Sequence, residues 1–284
     1  QLLGICQPFW SVSAAMCAVV ACLIERNLVM AQTEAKVKRR FDWGTAGVFS
    51  LVVGLLLTSF DFLWALLKAP MVNGDLELSQ TYVIGGVVID HMQVLTQKIF
   101  YFHVPVAIVS FVFIIVAAVY AVLYLVKKEA RYDLRSKTCM VIALVFICAT
   151  MVSGDTWTRA EWGVWWTWDP RLTTYFILTM LTLAYFILRA AIDDPERRAR
   201  LSGVFSILAA IDAPISYFIT RMVPSSLHPV ISYSGLEPAM LIPFICGIFG
   251  MMFVAFGCYH LALRTAEQSE ELAELKQRWE DLSR

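Results

Sequence analysis

Six long apolar stretches alternate with polar connections along the 284-residue chain, at 45–67, 99–126, 138–153, 172–192, 201–223 and 240–263. Five of them reach the about 20 residues an α-helix needs to cross the hydrocarbon of a bilayer. The third is shorter, and its helix is expected to draw on the tryptophan-bearing stretch that follows it. The pattern predicts an all-α, polytopic integral membrane helical bundle with six core transmembrane helices. A further uncharged run, 2–24, is long enough to add an N-terminal hydrophobic helix.

Three regions follow from this pattern. Residues 1–29 are an N-terminal hydrophobic segment that reads as a leader, an extra helix or an artefact, since Met30 opens a polar stretch that looks like a natural start. No basic region precedes the apolar run, which speaks against a cleaved signal peptide. Residues 43–264 form the six-span domain. Residues 265–284 are polar and acidic, with Leu272, Leu275, Trp279 and Leu282 at three-four-three spacing, the pattern of an amphipathic helix. That tail is expected on the cytoplasmic side, against a partner or along its own bundle, and its acidic face suits anionic lipid poorly.

Composition supports a membrane setting, with 59% hydrophobic and 16% charged residues. Charge then orients the spans, because basic residues gather on the cytoplasmic side. Lys36, Lys38, Arg39 and Arg40 precede the first span, Lys127, Lys128, Arg131, Arg135 and Lys137 join the second to the third, and Arg189, Arg197, Arg198 and Arg200 follow the fourth. By parity, the loops after spans one, three and five emerge together on the external face. The seven cysteines lie within apolar runs and form no C-x-x-C pair, which argues against a disulfide framework, a zinc site and covalent c-type haem attachment to this chain. Neither a G-x-x-x-x-G-K-[ST] nor a G-x-G-x-x-G motif occurs, so an ATP-driven step would need another subunit. Nothing suggests nucleic-acid binding.

The middle external loop is the most unusual stretch: Trp162-Gly163-Val164-Trp165-Trp166-Thr167-Trp168-Asp169-Pro170-Arg171-Leu172-Thr173 carries four of the chain's nine tryptophans in twelve residues. Indoles in such density provide a flat, polarisable surface, suited to the membrane interface or to a large planar ligand. The first external loop ends at Phe100-Tyr101-Phe102-His103-Val104-Pro105, and the third contains Ser225-Ser226-Leu227-His228-Pro229. Two histidines and an aromatic platform are thus expected on one face. A haem needs axial ligands, an apolar surface and polar groups for its propionates, and these loops contain all three kinds.

The segment from Trp162 to Asp169 resembles the tryptophan-rich WWD signature of haem-handling membrane proteins. Its continuation through Pro170-Arg171-Leu172-Thr173, the Phe-Tyr-Phe-His-Val-Pro run and the six-span length are most similar to the cytochrome c maturation protein C family, also called haem exporter protein C. The resemblance covers roughly residues 43–264. It implies an inner-membrane, multi-pass protein that binds haem b at its external, periplasmic face and delivers it to a haem chaperone, cytochrome c maturation protein E, without being an enzyme. It also implies His103 and His228 as axial ligands of the haem iron. The implied partners are ABC transporter subunits, the small single-span maturation protein D and the bilayer itself. A cytochrome c synthetase of the system II type, or a haem permease subunit, are the alternatives.

Further residues bear on the same site. Trp162, Gly163, Trp165, Trp166 and Trp168 are expected to hold the ring, while Asp169 and Arg171 orient it for transfer; Asp169 sits equally well as a cap on span four. Lys98, Arg159, Arg171 and Arg221 are candidate cations for the propionates, with Arg171 the preferred one. His91 is an additional external histidine, expected to be a solvated loop residue, and His260 falls at the cytoplasmic end of span six, out of reach. Asp61 and Asp212 lie within spans, where a carboxylate is costly. Asp212, close to Pro214, is expected to play a structural polar role rather than relay protons.

Overall fold

The computed structural model describes residues 43–69, 82–84, 87–89, 97–223, 226, 228 and 238–283. The N-terminal segment 1–29 and His91 lie outside the described residues. Among the described residues six helices are long and apolar enough to cross a membrane, as the hydrophobic pattern predicts: α1 (Trp43–Leu67), α2 (Phe100–Lys127), α3 (Ala130–Trp162), α4 (Pro170–Ala191), α5 (Pro195–Met222) and α6 (Pro238–Leu282). The α1–α2 connection adds a small feature the pattern did not predict. Strands β1 (Tyr82–Ile84) and β2 (Val87–Ile89) pair antiparallel there, with Tyr82 opposite Ile89.

Local chemistry sets several helix ends. Asp169 and Asp194 cap α4 and α5, accepting hydrogen bonds from the backbone N–H groups of Arg171 and Arg197 at 2.9 and 2.7 Å, and each is followed by proline at the first helical position, where a missing N–H costs nothing. Gly163 ends α3 in the left-handed region, at φ 75°, which glycine adopts without a Cβ penalty. With 33 residues, α3 is about 50 Å long and exceeds the about 30 Å of hydrocarbon. Its last turns, with Asp155, Arg159 and Glu161, belong to the interface. The tail beyond residue 264 is helical through Leu282 and continuous with the sixth span.

Packing is pairwise around a central helix: α1 lies on α6, α2 on α3 and α4 on α5, while α2 also meets α5 and α6. Val106, Val109, Ile114, Met140, Ile147 and Leu178 are fully buried between these pairs. The α1 and α6 backbones approach closely at Gly54, where an added Cβ would lie 2.6 Å from the Val254 nitrogen. Small residues allow such contact in a solvent where apolar side chains gain little by leaving lipid. Pro243 removes the donor that would bond to the Ala239 carbonyl, and the Trp64 indole N–H donates to that oxygen instead, at 3.1 Å.

Alternation of the helices places Leu67, Phe100, Trp162, Pro170 and Met222 at one end, here termed the tryptophan end. The basic residues of the α2–α3 and α4–α5 connections occupy the other. There Arg189 forms a bidentate ion pair with Asp133, at 2.6 and 2.8 Å, and donates to the Ser202 hydroxyl at 2.9 Å. Three helices are clasped by one guanidinium. His260 packs beside Gly47 near the start of α1, at this basic end, where it is remote from the tryptophan loop.

Candidate functional site

His103 lies one turn into α2 and turns toward α3. Its Nδ1 is 2.9 Å from the Ser153 hydroxyl, and its ring meets the Trp157 indole edge-on at 5.8 Å between centroids. Gly154 makes the space: a Cβ there would lie 3.0 Å from His103 Cε1. Ser153 itself donates to the Ala149 carbonyl at 2.8 Å. A hydroxyl carries one proton, so with that proton on the carbonyl it accepts from Nδ1–H, leaving Nε2 with its lone pair. This is the tautomer a metal-ligating imidazole requires, oriented by a partner on its other nitrogen.

The tryptophan loop joins α3 to α4. Trp162 is the last residue of α3, and Gly163 turns the chain. Trp165 and Trp168 are 62% and 73% exposed, while Trp166 is half-buried. Trp166 and Trp168 lie 5.8 Å apart with their planes at 86°, and both meet Phe176 edge-on. The loop therefore presents perpendicular indole faces rather than the single flat surface expected of it, because Phe176 on α4 offers an edge against which the indoles tilt. Edge-to-face contact also suits the ring quadrupoles.

Asp169 is buried, at 5% exposure, so it does not stand at the rim of the loop. Its carboxylate caps α4 and accepts from the Ser226 hydroxyl, at 3.2 Å to Oδ1 and 2.9 Å to Oδ2. Ser226 in turn accepts the backbone N–H of His228 at 3.3 Å. Arg171 donates to the Tyr217 carbonyl at 2.9 Å, near the end of α5. His103 near the start of α2, Arg171 at the start of α4 and His228 beyond the end of α5 all lie at this end of the bundle. Three separate hairpins thus bring His103, Arg171 and His228 together at the tryptophan end.

The other candidate cations, like Arg171, are engaged by the protein. Lys98 donates to the Ala65 and Leu66 carbonyls, at 2.7 and 3.0 Å, at the end of α1, and its partial burial lowers its ammonium pKa from the ordinary lysine value. Arg159 bonds to the Gly163 carbonyl and lies over the Trp165 ring. Arg221 lies over Tyr217 and Phe218. Asp61 is buried on the other side of α2, against Gly247 and Pro105, and its Oδ1 has no hydrogen-bond partner among the described residues. The same holds for Asp212 Oδ2.

Sequence reasoning missed Ser153, Gly154, Trp157 and Ser226 as parts of this site. Ser153-Gly154 closes the third apolar run, where a small polar pair interrupts a hydrophobic helix, and Ser226 stands two residues before His228, the spacing of a serine turn. Those were the available signals. Which residue of α3 faces which residue of α2 is not contained in either.

The family model described as heme exporter protein C matches residues 49–279. Among curated proteins, the chain is 30% identical to heme exporter protein C of Rhodobacter capsulatus over 190 residues, covering 64% of this chain and 78% of that protein. It is 32% identical over 176 residues to a putative cytochrome c biosynthesis ccmC-like mitochondrial protein of Marchantia polymorpha, covering 61% and 74%. Over 168 residues it is 30% identical to heme exporter protein C of Escherichia coli K12, covering 58% and 68%.

Proposed function

Since the chain belongs to the heme exporter protein C family, a family of haem-handling membrane proteins, we propose that it binds haem b at the tryptophan end between His103 and His228 and passes it to a haem chaperone. The observation that carries this reading is the arrival of His103, Arg171 and His228 from three hairpins at the end that bears the exposed indoles, with the His228 backbone joined through Ser226 to the start of α4. The donor set fits the group. Ser153 holds His103 Nδ1, which makes Nε2 the nitrogen that would ligate iron. Trp165 and Trp168 offer apolar faces, with Trp162, Gly163 and Trp166 shaping the loop that displays them. Arg171 is the cation best placed for a propionate.

Haem supplies the redox-active iron, and the chain's own residues bind, orient and release it. No covalent chemistry is asked of them, so the protein acts as a carrier and loading factor rather than a catalyst. The tryptophan end then faces the periplasm of an inner membrane, because the basic connections lie at the opposite end. Its partners are a haem chaperone of the cytochrome c maturation protein E kind, ABC transporter subunits that supply the ATP-driven step, and a small single-span protein of the maturation protein D kind.

The test is the absorption spectrum of the purified protein, with His103→Ala and His228→Ala alone and together. Each single variant is expected to turn a six-coordinate spectrum into a five-coordinate or exchangeable one. A wild-type spectrum in the double variant would refute the axial assignment. For the side of the membrane, a cysteine at Ala160 is expected to react with an impermeant thiol reagent from the periplasm, and one at Asp194 is not. Equal reactivity would overturn the orientation.

A further inference from the structure

The carboxylate that ends the tryptophan run is turned inward and faces another loop. Asp169 lies buried at the start of α4, with one oxygen on the Arg171 N–H and both within reach of Ser226. Ser226 follows α5, which Arg171 holds near its end through the Tyr217 carbonyl. Its hydroxyl donates to the carboxylate and accepts from the His228 N–H. A two-bond chain therefore runs from a rigid helix end to the backbone of a histidine that belongs to a loop.

We infer that Asp169 is a positioning residue, which acts through the Ser226 hydroxyl to fix the His228 backbone opposite His103. The inference rests on the reading of His228 as an axial ligand. It assigns the acidic residue of the tryptophan run to the ligand loop rather than to the ring or the docking surface.

The physical case is one of geometry. His103 needs no such device, because a helix carries it and Ser153 on a second helix holds its ring. His228 itself is not helical, and the bond from its N–H to Ser226 ties its backbone to the start of α4. Hydrogen bonds to an ionised carboxylate are the stronger kind, and burial of Asp169 shields this one from competing water. Coordination requires the imidazole to be held within a fraction of an ångström, which is the work of supporting residues.

The experiment compares wild type with Ser226→Ala, Ser226→Thr and Asp169→Ala, and reads two quantities. In haem-free protein, hydrogen exchange at the His228 amide is expected to accelerate about fivefold in Ser226→Ala and Asp169→Ala, the factor for losing one ordinary hydrogen bond, and to return toward wild type in Ser226→Thr. In haem-loaded protein, Ser226→Ala and Asp169→Ala should lose most of the six-coordinate signal and regain it on adding free imidazole, as is expected of His228→Ala. Ser226→Ala leaves the α4 cap intact, so a folding defect in Asp169→Ala does not confound the result. Unchanged exchange in Ser226→Ala overturns the proposal, and so does faster exchange with unaltered coordination. The ligand reading fails separately, by a wild-type spectrum in His228→Ala, which leaves the haem-free exchange result untouched.

Discussion

The two ends of the bundle are each tied by an acidic residue, half-buried at one end and buried at the other, but the ties differ in what they leave over. At the basic end, Asp133 and Arg189 satisfy one another in a bidentate pair, with Ser202 accepting a further N–H. That cluster closes on itself and joins α3, α4 and α5. At the tryptophan end, Ser153 holds one nitrogen of His103, Asp169 and Ser226 hold the backbone of His228, and the indoles of Trp165 and Trp168 stand outward. A polar group whose bonds are all made within the protein contributes structure alone. On the function proposed above, one that is held at one atom keeps another for the ligand.

The largest expected effect is at the open end. Removing both imidazoles should abolish nearly all bound haem, measured by extraction and absorbance, while the protein still inserts and folds. Loss of the protein itself would mean that the histidines are structural, and the contrast between the ends would collapse.

At the closed end, Asp133→Ala leaves a half-buried guanidinium unpaired and should cost about 2 kcal/mol of stability, seen as a lower thermal midpoint. The haem spectrum should keep its form. A coordination change on breaking this distant clasp would show that the two ends are coupled through α3 and α4.

A smaller effect separates ring positioning from ligation. Gly154→Ala brings a methyl group against His103 Cε1, and the ring must yield by a few tenths of an ångström. Ser153→Ala removes the Nδ1 partner, a loss of about 1 kcal/mol. Both should weaken haem binding severalfold and perturb the iron–imidazole signal in resonance Raman spectra. Identical spectra would place His103 outside the coordination sphere.

The smallest effect is expected at Trp279→Ala. This indole is 74% exposed on the part of α6 that extends past the bundle, so haem content should be unchanged, whereas Trp168→Ala should lower it measurably by removing aromatic area. Equal losses from the two would mean that exposed tryptophans act on the protein in general and not at this end.

Much of this architecture was written in the order of residues. Six apolar runs specify six spans, since a helix that crosses hydrocarbon must be apolar over its own length, whatever its neighbours do. Parity then puts His103, the tryptophan loop and His228 at one end. Asp169-Pro170 and Asp194-Pro195 mark helix starts by local rules. The extent of α3 was less legible, because hydropathy falls at Gly154 and Asp155 while the backbone hydrogen bonding continues to Trp162. The cap role of Asp169 was open in the sequence and is seen directly, yet its second bond, to Ser226, spans 57 positions of chain.

What the sequence by itself determined about this protein is therefore its membrane nature and the six spans of its described residues, which depend on composition and local periodicity, and its family, which rests on the likeness of its tryptophan-rich segment. Only the tertiary structure decided that Ser153 rather than another α3 residue meets His103, that the Trp166 and Trp168 indoles stand at right angles over Phe176, and that Asp169 faces inward to a loop. Those choices depend on how each helix is rotated about its own axis, and rotation is set by the packing of all the neighbours at once, which no single stretch of chain encodes.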